Sequence, residues 1–137
     1  TPRPAADRLD GVRVLVVEDD PDARELMSLF LRQVGAAVVA VDSVADAFDA
    51  MADARPDTVV ADIAMPGEDG YALLSRLRAL LPDAGGRIPV IAVTAYARSE
   101  DRIRTAAAGF GAHLAKPIDP TELVAAVGRL TGRGART

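Results

Sequence analysis

Four short apolar runs in the chain each end on a side chain able to handle a phosphate or a divalent cation. Val12-Arg13-Val14-Leu15-Val16-Val17 runs into Glu18-Asp19-Asp20, and Thr58-Val59-Val60-Ala61 runs into Asp62. Ile88-Pro89-Val90-Ile91-Ala92-Val93 ends on Thr94, and Ala112-His113-Leu114-Ala115 ends on Lys116. If the runs are strands of one parallel sheet, their C-termini share an edge, and ligands of open α/β sheets bind there. Acids, a hydroxyl and an ammonium would then converge on one small site. Clustered carboxylates repel one another and at neutral pH need a cation or shared protons. An all-oxygen donor set in a crevice that keeps several waters suits Mg²⁺. An aspartate beside such a cation is a nucleophile toward phosphorus. The metal then neutralises charge on the transferring group, and the protein mostly supplies position. Lys116 would contact one phosphoryl oxygen, and the Thr94 hydroxyl would donate to another. Taken singly, the acidic triplet is a solvated loop or helix cap, Lys116 a surface lysine and Thr94 a strand-end hydroxyl. Their coincidence at four strand ends carries the chemistry.

Positioning these groups requires alternating strands and helices. The patterning predicts strands over Val12–Val17, Ala37–Val41, Thr58–Ala61, Ile88–Val93 and Ala112–Ala115. A first helix is expected from Pro21, a residue suited to a first helical position, with Leu26, Leu29, Phe30 and Val34 inward and a stop at Gly35. Ser43 should cap a second helix running to Ala54, with Val44, Ala47, Phe48 and Met51 inward. A Met65–Gly70 loop leads to a third helix carrying Tyr71, Leu74, Leu77, Leu80 and Leu81. The fourth, Arg98–Ala108, offers Ile103 and small alanines against many charges, so it should be held loosely, as suits an element that moves. The fifth runs from Pro120 to Leu130 on Leu123, Val127 and Leu130. Five such βα units make a doubly wound parallel α/β sheet. In the flavodoxin-like strand order 2-1-3-4-5 the switch point falls between strands one and three, where Glu18, Asp19 and Asp62 stand.

Composition narrows the alternatives. The 137 residues suit one domain, and with 50% hydrophobic but only 4% aromatic residues the core should be aliphatic. A net charge of −4 and the lack of a basic stripe argue against direct nucleic-acid binding. The absence of cysteine excludes thiol chemistry, and a single histidine excludes a multi-histidine metal site. No apolar run approaches the roughly 18 residues of a membrane span, so the expectation is a cytoplasmic module without membrane insertion. Residues 1–10 and 132–137 read as tails or linkers flanking a domain over 11–131. A start at Thr1 rather than Met fits a segment of a longer protein.

The motifs Val14-Leu15-Val16-Val17-Glu18-Asp19-Asp20-Pro21, Asp62-Ile63-Ala64-Met65-Pro66-Gly67-Glu68-Asp69-Gly70, Val93-Thr94-Ala95 and Lys116-Pro117 resemble the receiver domains of response regulators in two-component signalling. The likeness spans about residues 12–130. It implies a domain that takes a phosphoryl group from a histidine kinase or histidine phosphotransfer protein onto Asp62. It further implies Mg²⁺ held by Asp19, Asp62 and the backbone carbonyl of Ala64, with Glu18 acting through water. Thr94 and Lys116 would hold the phosphoryl group, while Tyr96 and His113 occupy switch positions. His113 stands where receivers often carry Tyr or Phe, and Glu18 where the first acid is commonly Asp. The Gly111–Asp119 stretch resembles receivers fused to hybrid histidine kinases, so the parent is either such a kinase or a stand-alone regulator.

Three rival readings meet obstacles. A Mg²⁺-dependent phosphatase with an aspartyl nucleophile needs a second acid two residues on, where this chain has Ala64. A flavin binder needs a phosphate loop where Glu18-Asp19-Asp20 would repel one. A degenerate receiver serving only as an interaction module would not need all five key residues.

Overall fold

A computed structural model describes residues 8–65, 67–95 and 98–132. In chain order the elements are β1 (Arg13–Val17), α1 (Pro21–Gln33), β2 (Ala37–Val41), α2 (Val44–Ala54) and β3 (Thr58–Asp62), then α3 (Gly70–Arg78), β4 (Val90–Thr94), α4 (Ser99–Ala108), β5 (Ala112–Ala115) and α5 (Pro120–Leu130). All neighbouring strands pair in parallel, in the order β2-β1-β3-β4-β5. This is the flavodoxin-like (βα)₅ arrangement that the alternation of patterns predicts.

Both faces of the sheet are covered because successive strand residues point to opposite sides. Val14 and Val16 join Met27 and Leu31 of α1 and Leu123 and Val127 of α5 in one core cluster. Leu15 and Val17 join Val44 and Ala47 of α2 and Leu73, Leu74 and Leu77 of α3 in the other. Each fully buried Leu or Val stabilises by roughly 1.5–3 kcal/mol. Four helices begin on a side-chain cap: Asp20 accepts from Ala23 N–H, Ser43 from Asp46, Asp69 from Ala72 and Asp119 from Thr121. At α4 the capping position is Arg98, which makes no such bond.

Several packing expectations change. Leu26 and Leu29, expected inward, are 44% and 49% exposed, whereas Met27, Ser28, Leu31 and Val34 are buried. The helix carries apolar residues around more than one face, and the sheet selects the Met27–Leu31 stripe. Helix α3 ends at Arg78, and Leu81, 76% exposed, leads into a 3₁₀ turn at Pro82–Ala84. Pro82 disfavours the helical conformation for Leu81, which is extended. Ile103 of α4 is 70% exposed, and Thr105 is the one buried side chain of that helix among the described residues. Leu9, within the stretch expected to be a tail, is 1% exposed and packs in the α1/α5 cluster. Its N–H bonds to Val34 O at 2.7 Å, which ties residues 8–12 to the end of α1. Tyr96 and residues 133–137 lie outside the described residues.

Candidate functional site

The register of the ladders sets the site. Asp62 is opposite Val93 and Thr94 opposite Ala115, so the ends of β3, β4 and β5 are level. Lys116 N–H donates to Thr94 O at 2.8 Å, bringing the lysine to the edge beside β3. The Lys116–Pro117 peptide is cis. On the other side Glu18 N–H donates to Val41 O at 3.0 Å, so β1 runs in register until its first acid. The next acid, Asp19, is exposed, and Asp20 turns away to cap α1.

At the centre, Lys116 Nζ lies 3.0 Å from Asp62 Oδ2 and 2.6 Å from Glu18 Oε1. The first contact is a hydrogen bond; the second is an ion pair outside hydrogen-bond angles. Asp62 Oδ1 accepts from Ala64 N–H at 2.8 Å, so both oxygens of this carboxylate are held. Glu18 is fully buried, Asp62 nearly so, and Thr94 is buried at the end of β4. The Arg24 guanidinium reaches back from α1 to Glu18 O at 2.9 Å. Carboxylate oxygens of Glu18, Asp19 and Asp62 fall within 4.8 Å of one another.

These contacts set the charge states. Burial, then a hydrogen bond to Asp62, pushes the Glu18 carboxyl up from 4.5 to about 7. Burial works against the Asp62 charge as well. The hydrogen bonds from Glu18 and Ala64 N–H and the Lys116 ammonium outweigh it, and hold Asp62 below the usual carboxylate range. Burial also opposes the Lys116 charge, but its two acid partners raise its pKa. Burial thus favours the protonated form of Glu18, whereas its donors favour the anionic form of Asp62. Two acids buried side by side, with a third at the rim, mark a place short of positive charge. With all-oxygen donors at this spacing, Glu18, Asp19 and Asp62 suit a hard divalent cation such as Mg²⁺.

The structure brings Glu18, Asp19, Asp62, Thr94 and Lys116 to one edge, with Ala64 two residues beyond Asp62. His113 lies further down β5: its Nδ1 is 2.9 Å from Thr105 Oγ1, which also donates to Arg102 O at 3.0 Å. The imidazole thus tethers β5 to the one buried side chain of α4. No spacing rule in the sequence pairs these two residues. Gly70, at the first position of α3, is a further determinant: a Cβ there would stand 2.8 Å from Asp62 O. The helix start presses against the backbone that presents Asp62.

An open parallel sheet with an acidic, lysine-bridged pocket at its switch point is the form of a receiver domain. The family model for the response regulator receiver domain matches residues 14–128, and the chain belongs to that family. It is 42% identical over 111 residues to an uncharacterized 14.6 kDa protein in the sodA1 3′ region of Leptolyngbya boryana, covering 81% of this chain and 83% of that protein. It is 31% identical over 121 residues to hybrid signal transduction histidine kinase D of Dictyostelium discoideum, covering 84% of this chain but 8% of the kinase. A crystal structure of a putative response regulator from Chloroflexus aurantiacus superposes with a TM-score of 0.80 at 31% identity, covering 89% of this chain and 99% of that one. The chain spans about half the length of other curated response and transcriptional regulators that it matches. Among the described residues no helix is long and apolar enough to cross a membrane.

Proposed function

We propose that this domain accepts a phosphoryl group on Asp62 from a histidine kinase or histidine phosphotransfer protein and changes conformation for partner recognition. The observation that carries the reading is the Lys116 bridge between Asp62 and Glu18 beside the three-carboxylate cluster. Asp19, Asp62 and the Ala64 carbonyl would hold Mg²⁺, with Glu18 acting through water; the cation would neutralise charge on the phosphoryl group in transfer. Asp62, kept anionic, supplies the attacking oxygen. Lys116 and Thr94 hold phosphoryl oxygens, and the new charge draws them from their resting contacts. Since Thr94 O binds Lys116 N–H and His113 binds Thr105, that pull is transmitted to β5 and the lightly packed α4. The domain transfers phosphoryl only to and from itself, in a cytoplasmic stand-alone regulator or as part of a hybrid kinase.

Intact mass after incubation with Mg²⁺ and acetyl phosphate tests the reading. One phosphoryl adduct is expected, absent in Asp62→Asn. An adduct that persists in the variant refutes the assignment.

A further inference from the structure

A cleft of about 260 Å³ opens between the β3–α3 loop and α4, lined by Ala64, Asp69, Tyr71, Thr94, Asp101 and Arg104. Two of these residues adjoin Asp62. Ala64 N–H holds Asp62 Oδ1, the oxygen that Lys116 does not take, and Thr94 follows the register partner of Asp62. The cleft therefore reaches the residues that flank Asp62. Its acids are Asp69, occupied in capping α3, and Asp101; its cation, among the described residues, is Arg104.

The Arg104 guanidinium lies 4.5 Å above the Tyr71 ring, and that ring meets the edge of Phe110 at 5.5 Å between centroids. A guanidinium held over a ring has one side covered and keeps its in-plane N–H donors for another partner. A planar fork of donors beside an aromatic platform matches a carboxylate. Resting on the phosphoacceptor reading of Asp62, we propose that Arg104 receives the departing carboxylate of acyl phosphate donors in this cleft, and so favours them over donors with a P–N bond.

The chemistry separates the two donor classes. With an acyl phosphate, an Asp62 oxygen forms a bond to phosphorus and the P–O bond to the acyl group breaks. The electron pair leaves on a carboxylate, with no proton required. Negative charge develops where the guanidinium waits, so the contact strengthens during transfer. With phosphoramidate the P–N bond breaks and the pair leaves on a nitrogen that already carries its protons. The product is neutral ammonia, which gains nothing from Arg104.

The test compares Arg104→Gln with the parent in Mg²⁺ and excess acetyl phosphate or phosphoramidate, following adduct formation by intact mass. Arg104→Gln should slow the acetyl phosphate reaction on the order of tenfold, less than the loss of a fully enclosed oxyanion donor. The phosphoramidate rate should be unchanged, which also shows that the variant is folded around Asp62. Arg104→Lys should recover part of the acetyl phosphate rate, and Tyr71→Leu, which removes the platform but keeps the charge, should slow that donor selectively. Equal slowing with both donors, or no slowing with either, overturns the proposal. A parent protein that labels with neither donor instead overturns the phosphoacceptor reading on which it rests.

Discussion

Replacing Asp62 with asparagine should lower stability in acid and raise it in base. In the metal-free site Glu18 holds its proton more tightly in the folded state, with its pKa pushed from 4.5 to about 7. Folding takes up a proton in that window, so stability falls as pH rises from 4.5 to about 7, and the penalty is complete above it. A shift of that size corresponds to roughly 3 kcal/mol, since each unit of pKa is about 1.4 kcal/mol. Burial is the largest cause and survives the substitution, whereas the Asp62 contribution is removed. Asp62→Asn should therefore recover about 1 kcal/mol near pH 8, some 3–5 °C in Tm for a domain of this size. At that pH Lys116 keeps the ionised Glu18 as its partner at 2.6 Å, so no buried charge is orphaned. Near pH 5, where Glu18 favours its protonated form, the substitution takes from Lys116 the carboxylate it binds at 3.0 Å, so the variant should there be less stable than the parent by about 1 kcal/mol. Urea titrations in EDTA at the two pH values measure this, and millimolar Mg²⁺ should restore the parent by mass action. A variant that is less stable in base, or offset equally at both pH values, would refute the reasoning about the shared proton.

Other expectations are equally concrete. Asp19→Ala removes a carboxylate from the three-acid cluster and should weaken Mg²⁺ binding on the order of tenfold or more by calorimetry, lowering labelling in parallel. Leu9→Ala should cost about 3 kcal/mol in chemical denaturation, since the side chain is fully buried against α1 and α5; a cost near zero would make residues 8–10 dispensable. Gly70→Ala should lose both stability and labelling rate, because its Cβ must displace the Asp62 carbonyl 2.8 Å away. Retention of the parent labelling rate would show that α3 does not set the position of Asp62.

The site was legible because its members end strands, and strand ends in a parallel sheet are level whatever the helices do. Val17-Glu18, Ala61-Asp62, Val93-Thr94 and Ala115-Lys116 each mark a change from buried to chemical residues, and the register preserves that alignment. Helix faces were less legible. In α1, Leu26, Met27, Leu29, Phe30 and Leu31 satisfy two overlapping stripes, and only the position of the sheet chooses between them. Leu9 sits alone among prolines and charges, so no periodicity announces its burial. The Thr105–His113 tether and the Arg104–Tyr71 stack join different elements, and their partners are fixed by tertiary geometry that no local pattern encodes.

The parallel register has an architectural consequence at the opposite edge of the sheet. There the entry into β1 and the exit from α5 come together: Gly11, Val12, Leu130 and Thr131 line one depression with Asp57. Both covalent connections of the fold thus leave from the edge that carries no phosphate chemistry. Such a unit can be spliced into a host polypeptide, hung from either end of one, or circularly permuted without a linker crossing the reactive edge. Portability of this kind suits a family whose members here range from a protein filled mostly by the matched segment to a kinase of which it is 8%.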